Sequence, residues 1–337
     1  MRAQVATPCG CHRYSFKVHL GKSLVTKPSM TVRLAGGLGN QMFQYAAARS
    51  LATTYRLPLY LDTTHFAKVL LKRGISPSED AILGELAIRY LLPVEHLRRL
   101  LSPVRVNQSS EGLWACRIQL IQSEVKTALN IRNPILRERS LCFDSRVIAR
   151  SANGAHLIGF WQSPKYFEDH SDLIKRIFSR PLFEATTEQE SYAKYIRDSS
   201  GICLHVRRGD YASNAKTLKF HGLLGPDYYE SAVRIVRKRV GHHKIFVFTD
   251  SPNWCATNLK IRGDVELVPS DVSHPSGLGH FWLMQFGSAI VTANSTFSWW
   301  SAWLSDVPDD HIVAPKQWFV ATDLNCRDRF PSRWIVI

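Results

Sequence analysis

The sequence predicts an α/β protein made of two halves, each built on a parallel, doubly wound sheet. The chain of 337 residues is long enough for two domains of ordinary size. In the C-terminal half, short apolar runs alternate with helical segments. In the N-terminal half, a glycine-rich loop lies between a strand and a helix, which is the pattern of a βαβ unit. Both halves are therefore predicted to be Rossmann-like.

The N-terminal half begins with the strand TVRLA at 31–35, the loop GGLGN at 36–40 and a helix from Gln41. Residues 1–29 contain no acidic residue and no core-forming pattern, so they are predicted to be a flexible extension, or the protein starts at Met30. The remaining predicted elements of this half are the strands LPLYLD (57–62) and HLIGFW (156–161), and helices near 79–91, 93–101 and Tyr166–Phe178.

The C-terminal half carries five apolar runs without polar alternation, as expected of strands buried on both faces of a parallel sheet. Pro181 interrupts the chain before them, so the predicted domains are 30–183 and 184–337. The strands are ICLHV (202–206), KIFVFTD (244–250), VELV (265–268), SAIVTA (288–293) and HIVA (311–314), and the helices are 226–239, 253–260, 278–286 and 296–304.

The net charge of +15 is concentrated in the first half of the chain. Residues 181–337 contain 17 basic and 16 acidic residues, whereas residues 1–30 contain five basic and no acidic ones. A basic field attracts an anionic ligand, a membrane surface or nucleic acid, and it is equally typical of a solvated face. No helix-turn-helix, zinc finger or aromatic RNA platform accompanies the charge, so no nucleic-acid partner is predicted.

Composition excludes two other classes of protein. Hydrophobic residues at 45% and charged residues at 21% exclude a mainly disordered chain. The uncharged stretch 283–304 contains too many polar residues to be a transmembrane helix. The seven cysteines are odd in number and irregularly spaced, which predicts a reducing compartment.

Polar residues follow four of the predicted strands, at the edge where open α/β sheets bind ligands. Arg207 and Arg208 follow one strand, and their guanidinium groups suit a phosphate or carboxylate. Because consecutive side chains point apart, one of the two is expected to be structural, for example paired with Asp210. The four segments are 36–40 (GGLGN), 205–211 (HVRRGDY), Asp250 and 294–300 (NSTFSWW).

Each of the other loop residues has a functional and a structural interpretation. Ser295 and Thr296 begin a helix whose N-terminus either binds an anion or is capped in the ordinary way. Asp250 either accepts from a nucleotide or caps the next helix. His205 either donates to a nucleotide or is a buried histidine. No D-x-D sequence occurs, so the sequence does not predict a metal ion bound to a diphosphate. Arginines, backbone N–H groups and hydroxyls would neutralise the charge of the diphosphate instead.

Five segments together resemble the α-1,2-fucosyltransferase family of bacteria and animal Golgi, over roughly residues 31–337. They are GGLGNQMFQYAAARSLA (36–52), GFWQSPKYF (159–167), HVRRGDY (205–211), VFTDSPNW (247–254) and ANSTFSWWSAWL (293–304). The resemblance implies a GT-B glycosyltransferase fold, with two Rossmann-like domains facing across a cleft. It also implies GDP-β-L-fucose as donor, the hydroxyl of a galactoside as acceptor, inversion at the anomeric carbon, and no metal.

The resemblance also implies roles for individual residues. Arg207 would contact the pyrophosphate, Arg208 would support it, and His205 would lie near the nucleotide. Asp250 would face the guanine, and Gly39 and Asn40 would reach across the cleft toward the fucose and diphosphate. The residues that would line the phosphate and base site are Ser295, Thr296 and Phe297. The segment HFWLMQF (280–286) departs from the family's acidic, Cys-containing version, which leaves the acceptor side less defined.

Catalysis of fucosyl transfer requires stabilisation of the charge on the departing GDP and a group that accepts the proton of the acceptor hydroxyl. The predicted catalytic residues are Arg207, Asn40 and, as candidate base, Asp210, whose alternative role is to orient an arginine. The alternatives to α-1,2 transfer are an α-1,6 or O-fucosyl linkage, a GDP-sugar-binding protein without turnover, and, less favoured, a nucleic-acid-binding protein.

The resemblance and the basic charge also predict the partners and the location. The predicted partners are GDP-fucose and a galactoside-terminated glycan that the membrane would present in lipid-linked form. The chain shows no N-terminal anchor like that of Golgi relatives, so a cytoplasmic enzyme is expected, and its basic half allows peripheral contact with the inner membrane. The sequence does not indicate an oligomeric state.

Overall fold

The computed structural model describes residues 28–75, 77, 79–92, 100–101, 133–179, 185–270, 272, 277–324 and 326–337. Residues 1–27 of the predicted extension (1–29) and the predicted domain boundary at 183 and 184 lie outside these residues. Ser29 belongs to the fold, because it is buried and its carbonyl accepts hydrogen bonds from the Ala155 amide at 3.1 Å and the Asn133 Nδ2 at 2.8 Å.

The first half contains a parallel sheet of five strands in the described residues, in the order β3-β2-β1-β5-β4. Its centre is buried, with Val32 and Leu157 on one face and Thr31 and His156 on the other. The strands are β1 Met30–Arg33, β2 Leu59–Asp62, β3 Leu100–Leu101, β4 Ile135–Arg137 and β5 Ala155–Ile158. The helices are α1 Leu38–Thr54, α2 Thr64–Lys72, α3 Glu79–Glu85, α4 Arg146–Arg150 and α5 Ser171–Phe178.

The second half contains a parallel sheet of six strands in the described residues, in the order β11-β10-β9-β6-β7-β8. The strands are β6 Ile202–Val206, β7 Ile245–Thr249, β8 Val265–Leu267, β9 Ala289–Val291, β10 Ile312–Ala314 and β11 Ile335–Val336. The helices are α6 Thr187–Asp198, α7 Gly209–Ser213, α8 Ala215–His221, α9 Pro226–Val240, α10 Pro252–Asn258, α11 Leu278–Leu283 and α12 Thr296–Leu304.

Helix α1 of the first half packs against helix α12 of the second half. The contact is aromatic: the ring of Phe43 lies 4.5 Å from that of Trp299 and 4.9 Å from that of Trp300. The Trp300 indole donates a hydrogen bond of 3.0 Å to the carbonyl of Gly39. Buried aromatic pairs of this kind contribute beyond their apolar area, so this contact holds the two sheets in a fixed relation.

The two parallel sheets confirm the predicted α/β class with the GT-B arrangement. All eight predicted strands are present, some of them shorter than predicted. Three short strands, β3, β4 and β11, were not predicted, because two or three residues carry too little periodicity to be recognised. The predicted helix over 93–101 is wrong at Leu100 and Leu101, which extend the sheet beside β2, and its other residues lie outside the described part.

The helix predicted from Tyr166 begins only at Ser171, because two short 3₁₀ turns precede it. The prediction of a reducing compartment also meets a contrary finding. Cys142 and Cys326 form a disulfide, with Cα atoms 5.5 Å apart and a separation of 184 positions in the sequence. Their spacing gave no sign of this pairing, since only the fold brings the two segments together.

Candidate active site

The loops that follow strands β1 and β5 of the first sheet meet the loop that follows β9 of the second. Asn40 is the residue that joins them. Its Oδ1 accepts hydrogen bonds from Gln162 Nε2 at 2.9 Å and from Thr296 Oγ1 at 3.3 Å. The carboxyl ends of both sheets therefore border one cleft, which is where open α/β sheets bind ligands.

Gly39 allows the start of α1 to approach the start of α12 closely. A Cβ at this position would lie 2.5 Å from the backbone carbon of Thr296, closer than such atoms approach in proteins. Only a glycine allows the start of α1 to touch the start of α12. The predicted cofactor-binding residues Gly39, Asn40 and Thr296 are therefore brought together by the fold.

Asp250, at the end of β7, holds the loop that follows β6. Its Oδ1 accepts hydrogen bonds from the amides of Arg208 and Gly209, both at 2.9 Å, and its Oδ2 lies 2.7 Å from Arg207 Nη1. Burial favours the neutral carboxyl, but the two amides and the Arg207 charge outweigh it and lower the pKa of Asp250. Its carboxylate therefore stabilises the arginine loop and does not cap α10.

Arg207 and Arg208 diverge, as the sequence predicts for consecutive residues. Arg207 pairs with Asp250 and lies 5.6 Å from the ring of Tyr211, and about a third of its side chain is exposed. Arg208 lies over the ring of Trp254 at 3.9 Å, a short cation–π contact. The structure thus places Arg207 beside the cleft loops and gives Arg208 a packing partner on α10.

His205 is buried inside β6. Burial lowers the pKa of its imidazole to about 3, with the Arg207 charge acting in the same direction, so the ring is neutral at physiological pH. Its ring lies 5.8 Å from that of Phe297, and its Nδ1 has no hydrogen-bond partner among the described residues. A neutral imidazole in this position can donate or accept one hydrogen bond toward a ligand.

The N-terminus of α12 lies next to these residues. Ser295 occupies the N-cap position with an extended backbone, but its side chain makes no capping hydrogen bond. Asn294 is anchored through its Nδ2, which donates to the carbonyl of His221 at 3.0 Å. The first amides of α12 are thus not satisfied by the N-cap side chain, and a helix N-terminus in this state favours an anion.

The side chain of Asp210, the predicted base, lies outside the described part of the structure, and its backbone belongs to α7. The carboxylate that pairs with Arg207 is that of Asp250, a partner the sequence did not indicate. Gln162 was also not predicted as a site residue, although it lies inside the segment GFWQSPKYF. A polar residue in an otherwise apolar run directly after a strand was the available signal.

The described residues contain one group of metal-ligand type, Cys142, Cys326 and Asp328. The two cysteines of this group form the disulfide and are not available as thiolate ligands. None of the helices in the described part of the chain combines the length and the hydropathy that crossing a membrane requires.

Two parallel α/β sheets whose carboxyl ends border one cleft are the arrangement of the GT-B fold. Comparison with known families gives the particular group. Residues 80–337 match the family described as Glycosyl transferase family 11, and the chain belongs to this family. The resemblance stated from the motifs is thereby confirmed at the level of the family.

Two curated relatives and one solved structure illustrate the similarity. An alpha-1,2-colitosyltransferase of Escherichia coli is 30% identical over 91% of this chain and 98% of its own. A galactoside 2-alpha-L-fucosyltransferase of Caenorhabditis elegans is 22% identical over 90% of this chain and 75% of its own. The crystal structure of fucosyltransferase NodZ from Bradyrhizobium has a TM-score of 0.42 at 17% identity, covering 83% of this chain and 94% of that one. At that score the structural likeness carries no argument about the site.

Proposed function

We propose that the protein transfers L-fucose from GDP-β-L-fucose to the 2-hydroxyl of a terminal β-galactoside, with inversion at the anomeric carbon. The observation that carries the proposal is the hydrogen bond from Thr296 to Asn40, which lies beside the loop of Arg207. This bond brings the motifs of both halves to one cleft. The names of two relatives, one an alpha-1,2-colitosyltransferase and one a galactoside 2-alpha-L-fucosyltransferase, support the 1,2 linkage.

In the proposed reaction the acceptor oxygen forms a bond to the anomeric carbon while the bond from that carbon to the GDP oxygen breaks. The electron pair of the broken bond goes to the diphosphate, whose negative charge must be stabilised, and the proton of the acceptor hydroxyl goes to a general base, for which Asp210 is the candidate. Arg207 and the first amides of α12 are the groups that we assign to this role. To Asn40, which accepts hydrogen bonds from Gln162 and Thr296, we assign the role of orienting the donor sugar from the opposite side.

We propose that no metal takes part, because the sequence lacks D-x-D and offers cationic and backbone groups instead. Exhaustive treatment with EDTA should leave the rate unchanged. A loss of activity that magnesium or manganese restores would contradict this proposal.

The donor sugar has one specific competitor, colitose, which is fucose without its 3-hydroxyl group. The relative that is 30% identical carries colitosyltransferase in its name. The deciding measurement is the ratio of kcat/KM for GDP-fucose and GDP-colitose with one β-galactoside. A site built to hydrogen-bond the 3-hydroxyl group discriminates strongly against the deoxy sugar, since it leaves buried polar groups unpaired.

The linkage is tested by NMR of the product formed from GDP-fucose and a panel of galactosides. We expect an α-1,2 linkage to β-galactose. A product with an α-1,6 linkage, or transfer to a protein hydroxyl, would replace the proposal by one of the alternative fucosyl linkages. Binding of GDP-fucose without any product would instead support a sugar-nucleotide-binding protein.

We also propose peripheral contact with an anionic membrane surface. The sequence puts the excess of basic residues in the first half, whereas the groove that supports this contact lies on the second half, along α9 and the loop after α10, with Glu230 as its acidic lining residue. Its basic residues are Arg234, Arg237, Lys238, Lys260 and Arg262, with His242 beside them. Cosedimentation with vesicles containing phosphatidylglycerol should depend on salt and weaken in the variant Arg234→Glu/Lys238→Glu. Equal sedimentation of both proteins would contradict the proposal.

A further inference from the structure

Trp161, which follows strand β5, has an unusual backbone conformation. Its φ is +55°, in the left-handed region that a large side chain rarely adopts. Among the described residues, the other non-glycine residues with a positive φ are Arg56 and Ser200, which come directly after the C-caps of α1 and α6, where this conformation is common. Trp161 ends no helix, and its side chain is buried, so the surrounding structure must hold the strained conformation.

Glu138 is the side chain that holds this backbone. It comes directly after β4, which pairs with β5 in the sheet. Its Oε2 accepts a hydrogen bond from the amide of Phe160 at 2.7 Å, and its Oε1 accepts one from the amide of Trp161 at 2.9 Å. Because the two oxygens of one rigid carboxylate bind two successive amides, the peptide unit between Phe160 and Trp161 is fixed in direction.

The approach of the carboxylate requires a glycine at position 159. A Cβ on Gly159 would lie 2.4 Å from the Cβ of Glu138 and 2.8 Å from its Oε2. No larger residue fits there without displacing the glutamate. The loop is also held from its other side, since Gln44 of α1 donates to the Gly159 carbonyl at 3.0 Å.

Gln162 connects this loop with the candidate active site. It is the next residue after Trp161, and its Nε2 donates to Asn40 Oδ1 at 2.9 Å. A change of the Trp161 backbone to a negative φ would redirect the chain at Gln162 and break that bond. The position of the loop is therefore passed on to Asn40, whose Oδ1 also accepts a hydrogen bond from Thr296.

The second sheet contains a comparable arrangement. Asp250 follows β7 and binds the two successive amides of Arg208 and Gly209, in the loop after the neighbouring strand β6. The two carboxylates differ in their electrostatic surroundings. Burial raises the pKa of Glu138, because the two amides and the charge of Arg329 offset it only in part, whereas the pKa of Asp250 is lowered.

We propose that Glu138 is a positioning residue for the transfer reaction: its carboxylate holds Trp161 in the left-handed conformation and so keeps Gln162 in contact with Asn40. This inference rests on the proposed function, in which Asn40 orients the donor sugar. Glu138 is assigned no contact with the substrate, because both of its carboxylate oxygens bind backbone amides.

The experiment compares Glu138→Gln with Asp144→Asn. A glutamine accepts from one of the two amides and turns its own NH2 group toward the other. Asp144 is a matched control, because its carboxylate also accepts from a backbone amide, that of Arg146 at 3.0 Å, but lies outside the loop. We expect Glu138→Gln to lower kcat for GDP-fucose roughly 10- to 100-fold, the loss of a hydrogen bond to a charged group, and to leave the Kd for GDP unchanged. Asp144→Asn should retain both values.

A double-mutant cycle with Gln162→Met separates positioning from a general effect on stability. If Glu138 acts through Gln162, the loss of kcat caused by Glu138→Gln should be much smaller when residue 162 is already methionine. Losses that add fully would overturn the inference, and so would full activity of Glu138→Gln. If Glu138→Gln fails to fold, Glu138→Asp takes its place in the cycle, since the shorter carboxylate cannot reach both amides and should lower kcat as well.

Two NMR measurements are independent of fucosyl transfer. In Glu138→Gln, hydrogen exchange at the Trp161 amide should be roughly 10-fold faster, and the signal of the Gln162 side-chain amide should shift. If both changes occur and the wild type transfers no fucose, the proposed function fails and the role of Glu138 in holding Gln162 against Asn40 stands. If transfer occurs and neither signal changes, the inference is wrong. A loss of kcat with unchanged exchange at Trp161 would assign Glu138 a direct part in the chemistry and would overturn the positioning role.

Discussion

Asp250 shows how one carboxylate organises the candidate site. Strands β6 and β7 are neighbours in the sheet, so the residue after β7 lies beside the loop after β6. The carboxylate satisfies two adjacent amides and one guanidinium, and charge-assisted hydrogen bonds of this kind are the strong ones. Asp250 therefore positions Arg207, and this role is separate from the proposed contact with the nucleotide.

The substitutions Asp250→Asn and Asp250→Ala separate these contacts. Asparagine keeps an oxygen for the two amides but loses the charge that pairs with Arg207, whereas alanine loses both. We expect kcat/KM for GDP-fucose to fall roughly 10-fold in the asparagine variant and further in the alanine variant. Steady-state kinetics on both variants checks this order, and equal activity of all three proteins would exclude the positioning role.

The lowered pKa of Asp250 also predicts a pH dependence of stability. A carboxyl with a depressed folded-state pKa stabilises the fold fully above its ordinary value of 3.8, and this contribution is lost as the pH falls toward the folded value. The difference in melting temperature between the wild type and Asp250→Asn should be constant from pH 7 to about pH 5 and should shrink below about pH 4. A difference that grows on acidification would contradict this sign.

Arg207 is expected to be needed for its shape as well as its charge. Removal of a preorganised group that stabilises the leaving diphosphate costs about 10²–10³-fold in kcat. Arg207→Ala should show a loss of this size, and Arg207→Lys should not restore the rate, because an ammonium cannot contact Asp250 and a phosphate as a planar fork. Near-normal turnover of purified Arg207→Ala would refute the role.

At the scale of elements, the contact between α1 and α12 assembles the site. The side chains of Phe43, Trp299 and Trp300 pack between the helices, while the N-termini of both helices point into the cleft region at Gly39 and Thr296. The same contact is therefore part of the core and part of the site. This explains why the segment after Gly39 is apolar and contains buried glutamines at 41 and 44, which bond to backbone groups of neighbouring loops.

The pair Gly39→Ala and Gly37→Ala tests this close approach. A Cβ on Gly39 meets the backbone of Thr296, whereas a Cβ on Gly37 meets nothing within 4 Å. We expect Gly39→Ala to cost about 1–3 kcal/mol of stability by overpacking and to lower transfer strongly, because α12 must move. Gly37→Ala should cost no more than about 1 kcal/mol, the effect of changing an N-cap, and should retain transfer. Thermal melting and kcat measured on the same samples decide, and equal behaviour of the two variants would exclude the close-contact argument.

At the scale of the whole molecule, the segment around Cys326 and Asp328, near the C-terminus, bonds the second half to the first. Asp328 Oδ2 accepts a hydrogen bond from the amide of Phe143 at 3.0 Å, and the Asp328 carbonyl accepts from Ser163. The Cys142–Cys326 disulfide lies beside these contacts. The same short segment carries the buried Arg329, whose guanidinium lies over the rings of Trp318 and Phe319.

The variants Cys142→Ser, Cys326→Ser and the double variant test the disulfide. Since the bridge closes a long loop, each single variant should lower the stability by about 2–4 kcal/mol, and the double variant should lower it no further. Dithiothreitol should lower the melting temperature of the wild type to the same value. The two cysteines would be shown to be reduced in solution by either of two results. One is that the stability losses of the two single variants add in the double variant. The other is that dithiothreitol leaves the melting temperature of the wild type unchanged and two more thiols are titrated.

The strands and the main motif loops were predictable from the sequence. Strands β6 and β7 are buried along nearly their whole length, so they appear as continuous apolar runs, and the loops after them contain the polar residues of the site. Short edge strands such as β3 and β11 were not predictable, because pairing with a neighbour and not local periodicity makes them strands.

The sequence by itself determined the α/β class, the parallel sheets, the polar loops at the strand ends and the family, because each follows from local patterns or from contiguous motifs. Only the tertiary structure decided which groups act together. Asp250 pairs with Arg207, Asn40 meets Thr296, and Ser163 bonds to Asp328, although the partners lie from more than 40 to more than 250 positions apart in the sequence. These contacts form because α1 packs against α12 and because the side chains are buried. Both depend on segments that are far apart in the chain, so no single segment predicts them.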